Sequence, residues 1–292
     1  MLDLHCHTTY SDGTLAPGEL VEQAVSAGVR FLAISDHDTI SGWDEAIATA
    51  ADRDIEIVPA IELSTVHRNR SLHILGFYPE PEKLRGPLSD RIEGRFRRAR
   101  SMVQKLAELG YAIELPLLER GFSQSDGKTF PRNGMAPGRP HIAAALVKAG
   151  YVKYPQEAFD RFLGEDKPAY VAYEKFSIEE GIELLRRCGA VPVWAHPCLF
   201  RGGKVEEVLR ELVDAGLMGL EVFHPCHSAR EVERLKALCG EYGLLMTGGS
   251  DYHGPKIGGK EETCLNMLRL PGELLSPIKE AAAVLARVSA VE

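Results

Sequence analysis

The sequence predicts an α/β protein, a closed or nearly closed barrel of mostly parallel strands interrupted by one helical insertion. Three observations predict it. Short apolar runs alternate with amphipathic stretches of helical period at both ends of the chain. Strands separated by single helices imply parallel βαβ units. At least seven such strands are present, which favours closure over an open sheet. No internal repeat or low-complexity segment interrupts the pattern.

The elements follow in order. "LDLHCH" reads as a strand, and "PGELVEQAVSAG" as a helix with Pro17 near its start and Gly28 at its end. "RFLAIS" is a buried strand, "SGWDEAIATAAD" a helix, and "EIVPAIELS" and "RSLHILGFY" two strands joined as a hairpin. From about Pro81 to Tyr170 the rhythm breaks. A long helix from about Ser89 to Leu109 carries "RFRRAR", a Gly/Ser/Pro/Asn-rich loop follows, and then two shorter helices, "HIAAALVKAG" and "PQEAFDRFLG". The rhythm resumes with "SIEEGIELLRRCG", "AVPVWAH", "VEEVLRELVDAG", "GLEVFH", "AREVERLKALCGEYG" and "LLMTGGSD", alternately helix and strand. Residues 1–80 and 171–292 are thus expected to form the barrel, and 81–170 a mostly helical insertion covering its cleft.

Bulk composition narrows the function. The 292 residues are 45% hydrophobic and 26% charged, an ordinary globular balance, and the net charge is −8. That charge argues against coating long nucleic acid, but not against a small phosphorylated ligand. No leader is visible and no apolar run reaches the ~18 residues of a membrane span. The six cysteines (Cys6, Cys188, Cys198, Cys226, Cys239, Cys264) form no C-x-x-C pair. A cytoplasmic protein with reduced, mostly buried thiols is expected.

The unusual residues fall at strand ends. Side chains at i and i+2 of a strand share a face, so His5 and His7 project together with Cys6 opposite. Asp36, His37 and Asp38 end the second strand and Glu62 comes from the third. His196 ends "PVWAH", and Asp251 and His253 follow "MTGGS". His73 lies within the hairpin, and Asp12 follows the first strand closely. In parallel barrels the C-terminal strand ends converge on one face. Carboxylates gathered there resist joint ionisation unless cations neutralise them, and mixed N/O donors suit Zn, Mn or Fe. A metal centre is therefore expected. His67, in "VHRNR", reads as solvated.

"HCHTTYSDG", "ISDHDT", "IELS", "LHILGF", "AHP" and "GSDYHG" resemble, in order and over nearly the whole chain, the motifs of the PHP (polymerase and histidinol phosphatase) family. The insertion, with Arg139-Pro140-His141, is similar to the subgroup acting on nucleoside 3′,5′-bisphosphates or trimming short RNA from its 5′ end. The resemblance implies a distorted (β/α)7 barrel and a trinuclear site. His5, His7, Glu62 and Asp251 would hold one metal. Asp12, His37 and His253 would hold a second, and His73, His196 and bridging Glu62 a third. It implies three divalent ions, manganese foremost, with iron, zinc or magnesium as alternatives. The expected activity is removal of the 3′-phosphate by attack of a metal-held hydroxide, with short 5′-phosphorylated RNA as a further substrate.

Substrate contacts are expected elsewhere. Arg97, Arg98 and Arg100 lie on the insertion helix, and guanidinium groups suit phosphates. Arg100 and Arg139 are expected to hold the uncleaved phosphate, with Asn133 and Lys256 as further contacts. Asp12 and His253 should meet substrate as well as metal, and together with His196 take catalytic roles. Asp36 and Asp38 read either as acceptors orienting imidazoles or as caps. Gly248 and Gly249 allow close backbone approach. His141 reads equally as packing, capping or binding. His224 and His227, with Cys226 between them, read as structure or substrate contact ahead of ligation. "GGK" at 202–204 lacks the P-loop pattern. The competing readings are a histidinol-phosphate-type phosphatase, a DNA exonuclease of the polymerase-attached type, and a metal-dependent binding module without turnover.

Overall fold

The computed structural model describes residues 1–118, 122–125, 128–131, 135–173, 176–255 and 263–289. Strands β1 (Leu2–Asp3), β2 (Phe31–Ile34) and β3 (Glu56–His67) run parallel, with Leu2 opposite Phe31 and Phe31 opposite Glu56. β4 (Arg70–Phe77) returns antiparallel through Arg68 and Asn69, whose φ of 49° and 61° both lie in the left-handed region. Two left-handed residues make the turn whose twist matches a hairpin. A second two-stranded sheet pairs β5 (Phe122–Ser125) with β6 (Lys128–Pro131). β7 (Val191–Trp194) pairs antiparallel to β4, and β8 (Gly219–Phe223) and β9 (Leu245–Gly248) continue parallel. The main sheet has seven strands in the order β1-β2-β3-β4-β7-β8-β9.

The ring comes together between its two ends. The His7 N–H donates to Tyr252 O (2.9 Å), Leu4 N–H to Gly248 O (3.2 Å) and Tyr252 N–H to His5 O (3.3 Å). Cys6 and Tyr252 form an isolated parallel bridge. The first strand is therefore regular over only two of the six residues in "LDLHCH". A Cβ on Gly249 would meet His5 N at 2.4 Å, so the close backbone approach expected there is present.

Helices α1 (Pro17–Ser26) and α2 (Trp43–Ala50) cover the first strands, and Trp43 Nε1–H donates to both Ile34 O and Ala60 O. α3 (Pro81–Glu108) begins at Pro81, earlier than expected, and runs through Pro87. A proline in the first turn is pre-organised for a helix. Leu84 and Leu88 join the cluster packed on the strands, whereas Ala99, Met102 and Leu106 join a separate one. That second cluster also takes Ile142 and Leu146 of α4 (Arg139–Lys148), Ala158 of α5 (Pro155–Ala158), and Phe162 of the π-turn Phe159–Leu163.

α6 (Ile178–Arg187) and α8 (Ala229–Tyr242) start on capping boxes, Ser177 with Glu180 and Ser228 with Glu231. Between them, α7 (Val205–Asp214) buries Val205, Val208, Leu209 and Leu212 at helical spacing. α9 (Leu275–Ser289), which the sequence reading did not single out, packs Leu275, Ile278 and Ala282 against Leu2, Val191 and Val193. No described helix is long and apolar enough to cross a membrane.

Candidate metal centre

Glu62 is the hub. On β3 it lies where a parallel neighbour and an antiparallel one meet, bridged to His37 on one side and opposite Leu75 on the other. Its carboxylate is 1% exposed. Oε2 lies 3.3 Å from His5 Nε2, 3.3 Å from His7 Nε2 and 3.0 Å from His37 Nδ1. Oε1 lies 2.8 Å from His73 Nδ1 and 3.0 Å from His196 Nε2. Asp251 Oδ1 is 3.1 Å from His7 Nε2 and 3.4 Å from His5 Nε2. Asp12 is 3.3 Å from His253 Nε2 and 3.7 Å from His37 Nε2. The structure thus brings together all nine residues that the strand ends and the resemblance single out.

The ring orientations are set from outside. Glu221 accepts from His5 Nδ1–H at 2.9 Å, which turns His5 Nε2 toward Glu62. Ser11 Oγ–H donates to Asp36 Oδ1 at 2.5 Å, so Ser11 Oγ can accept from His7 Nδ1 at 3.3 Å. His7 Nε2 then also faces inward, its lone pair available once the ring gives up its proton to a cation. The Asp251 carbonyl does the same for His253, accepting from its Nδ1 at 2.8 Å. Glu221 also accepts the His196 N–H at 2.6 Å, fixing a left-handed residue (φ 33°) at the end of β7. Glu221 was not foreseen. Its signal was a carboxylate inside the apolar run "GLEVF", where a buried charge needs partners.

The electrostatics describe a site loaded with donors. Burial works against every charge here. Even so, the surrounding imidazoles hold Asp12, Glu62 and Asp251 well below the usual carboxylate range. Burial likewise opposes a charged His7, but Asp251, Glu62 and Asp12 outweigh it and raise the ring to about 10. His37 goes the other way, pushed down to about 3 by burial. Buried His5 Nε2, His7 Nε2, Asp12 Oδ1 and His37 Nδ1 have no hydrogen-bond partner. Buried nitrogens and oxygens without hydrogen-bond partners, converging among anionic carboxylates, suit divalent cations that displace the imidazole protons, so the residues fit the ions that the resemblance implies.

The flanking aspartates do not touch the His37 ring. Asp36 accepts from Thr8 N–H (2.7 Å), Thr8 Oγ1 (2.6 Å) and Ser11 Oγ, and so holds the loop carrying His7 and Asp12. Asp38 pairs with Arg91 (2.9 Å) and Arg95 (2.6 Å) of α3. Next to the centre a cavity of about 740 Å³ opens from His73 and His196; its wall carries Arg70, Arg139, Lys167 and Arg201 together with Asp160, Glu165 and Asp166, and Arg70 pairs with the last two. Arg139 donates to Leu163 O and lies over the Phe159 and Tyr170 rings.

The other expected contacts sit differently. Arg100 is exposed and donates to Leu118 O, whereas Arg95 and Arg98 on the opposite face of the helix are buried. Arg98 stacks 3.7 Å from the Tyr173 ring. Asn133 and Lys256 lie outside the described residues. His141 caps, its Nδ1 accepting the Gly138 N–H. His67 is buried rather than solvated, paired with Glu211 at 3.1 Å, because β3 extends far enough to carry it under Phe200. The cysteines form no disulfide; Cys6, Cys188 and Cys239 are buried, but Cys226 and Cys264 are exposed.

A seven-stranded ring with this array at one end is the architecture of a metal-dependent phosphoesterase, and the comparisons agree. The PHP domain model matches residues 3–118. The 3′,5′-nucleoside bisphosphate phosphatase of Chromobacterium violaceum is 31% identical over 264 residues, covering 89% of this chain and 90% of the relative. The 5′-3′ exoribonuclease of Haemophilus influenzae is 34% identical over 257 residues, covering 87% and 90%. A solved structure from Bifidobacterium adolescentis, assigned as a metal-dependent phosphoesterase, matches with TM-score 0.82 at 31% identity over 96% of both chains. The chain belongs to the PHP family, and it is a hydrolase of phosphoric esters.

Proposed function

We propose that the protein removes the 3′-phosphate of nucleoside 3′,5′-bisphosphates. Three divalent cations, manganese first among them, would be held by His5, His7, Asp12, His37, Glu62, His73, His196, Asp251 and His253. Glu62 would be shared among these ions, since its two oxygens face different histidines. Bound cations supply an acidified water and neutralise phosphoryl charge. The remaining work belongs to the protein. Glu221, Ser11 with Asp36, and the Asp251 carbonyl keep the imidazole lone pairs directed inward. His253 is the most exposed imidazole of the set, at 32%, and stands beside Asp12, where an entering phosphate would meet both. His196, in the wall of the cavity, would face the same substrate.

The observation carrying this reading is the cavity that starts at His73 and His196 and holds Arg139, Lys167 and Arg201 in its wall, while Arg70 there is paired with Glu165 and Asp166. Its volume falls within the ~300–1,000 Å³ of small-ligand sites. It suits a substrate with one phosphate at the centre and a second on Arg139. The segment 81–170 would then act as a cover that supplies specificity, and Arg100 would contribute little. Metal analysis together with phosphate release from a panel tests this. The panel holds nucleoside 3′,5′-bisphosphates, monophosphates, histidinol phosphate, short 5′-phosphorylated RNA and short DNA. Arg139→Ala should lower kcat/KM for bisphosphates by roughly 10- to 100-fold, the value of a charged hydrogen bond, and monophosphates far less. Equal losses would reject the two-phosphate reading. Phe159 and Phe200 in the cavity wall favour one alternative, stacking of a following base of short RNA. Faster turnover of RNA than of bisphosphate would establish that alternative.

A further inference from the structure

The turn between β8 and α8 reads His224-Pro225-Cys226-His227, and the metal centre described above uses none of it. The turn is held at both ends. His227 N–H donates to His224 O at 2.9 Å, and Ser228 with Glu231 caps α8 immediately afterwards. His227 Nδ1–H donates to Val222 O at 2.9 Å, so its Nε2 carries the lone pair. That Nε2 is buried without a partner. His224 Nδ1 accepts the Cys226 N–H at 3.2 Å and lies 2.9 Å from Cys226 Sγ. Its Nε2, also unpartnered, looks toward Asp251 Oδ2 at 3.5 Å. His224 and His227 are 6% and 9% exposed, whereas Cys226 between them is an exposed residue with its thiol half-buried. One donor atom from each of the three lies within 4.8 Å of the others.

We propose that His224, Cys226 and His227 form a separate zinc site on the rim of the catalytic centre. Two imidazoles and one thiolate make a softer donor set than the nitrogen and oxygen ligands next door. Thiolate favours zinc over manganese or magnesium. Three protein ligands leave a fourth position open to water. Cys226, on the solvent side of the turn, gives a cation its way in, and the buried histidines complete the grip. The site lies close to the main centre, with the His224 ring 5.6 Å from that of His196 and 6.3 Å from that of His5. An ion there would add positive charge beside the substrate.

Cobalt substitution tests the assignment independently of turnover. Protein purified with manganese is titrated with cobalt chloride and followed for the near-ultraviolet band of thiolate-to-cobalt charge transfer. Zinc content is measured in parallel after equilibration with zinc. Wild type should show the band, and C226S should lose it along with one zinc ion per chain. H227Q should show the same two losses. Both variants should keep manganese-dependent phosphate release, which distinguishes loss of this site from failure of the main centre. No band in wild type, a band surviving C226S, or equal zinc content in all three proteins would overturn the proposal.

Discussion

Glu221 shows what one buried carboxylate sets at this centre. It holds the His5 ring and the His196 backbone at the same time, so two elements depend on its two oxygens. Glu221→Gln removes the charge and presents an amide where His196 N–H needs an acceptor. Metal affinity should fall by roughly 10- to 100-fold, as for other partners of ligating histidines, read by manganese titration with far-ultraviolet circular dichroism unchanged. The backbone contributes too. His196 (φ 33°) and Asp251 (φ 52°) are both left-handed, a conformation costing ~1–3 kcal/mol that persists where the surroundings enforce it. Most of the nine central residues were legible as ionisable groups in or just after apolar strands, and Asp12 and His73 through the motifs around them. Glu221 and the Asp36–Ser11 relay were not, because their role depends on pairings across 216 and 25 positions that no local pattern encodes.

At the scale of elements, the link between barrel and α3 is decisive. Asp38 binds Arg91 and Arg95, and Arg95 also donates to Ser64 Oγ and Pro137 O. Asp38→Ala would leave buried guanidinium charge uncompensated, so we expect a loss of ~3–5 kcal/mol in denaturant unfolding. The pH dependence has a definite sign. Burial opposes the Asp38 charge, but the two arginines hold its carboxyl well below the usual range. A depressed carboxyl stabilises fully above its unfolded pKa of ~3.9 and loses that stability as pH falls through the folded value. The stability gap between wild type and Asp38→Asn should therefore be constant from pH 5 to 7 and shrink in acid. A gap that widens in acid would contradict the assignment.

Strand and helix identities were largely readable from periodicity, and the hairpin from the short polar gap in it. The β5–β6 pair was hidden by a Gly/Ser-rich composition that reads as loop, although its Asp126-Gly127 is a hairpin signal. The start of α3 was hidden by Pro87. The exposure of Arg100 and the burial of Arg95 and Arg98 were not readable for a related reason: the helical phase tells which residues share a face, but not which face meets the barrel.

At the scale of the whole molecule, the two ends of the ring each supply residues to the centre, so cation binding should tighten their junction. His5 and His7 come from one end of the ring, Asp251 and His253 from the other, and the backbone bonds joining those ends are few. Chelation should lower the thermal midpoint, since an ion at 100 to 1,000 times its Kd contributes ~2.7–4.1 kcal/mol. Gly249→Ala acts at the same junction. Its methyl would meet the His5 backbone at 2.4 Å, so we expect both a lower midpoint and weaker manganese binding. The thin join between residues 4–7 and 248–252 thus behaves as a clasp, with the ions as its pin. The amides of His7 and Tyr252 should exchange with deuterium quickly when the pin is drawn and slowly when it is seated, while the β3–β4 hairpin hardly changes. Two protons on the backbone would then report occupancy of the site with no substrate in the tube.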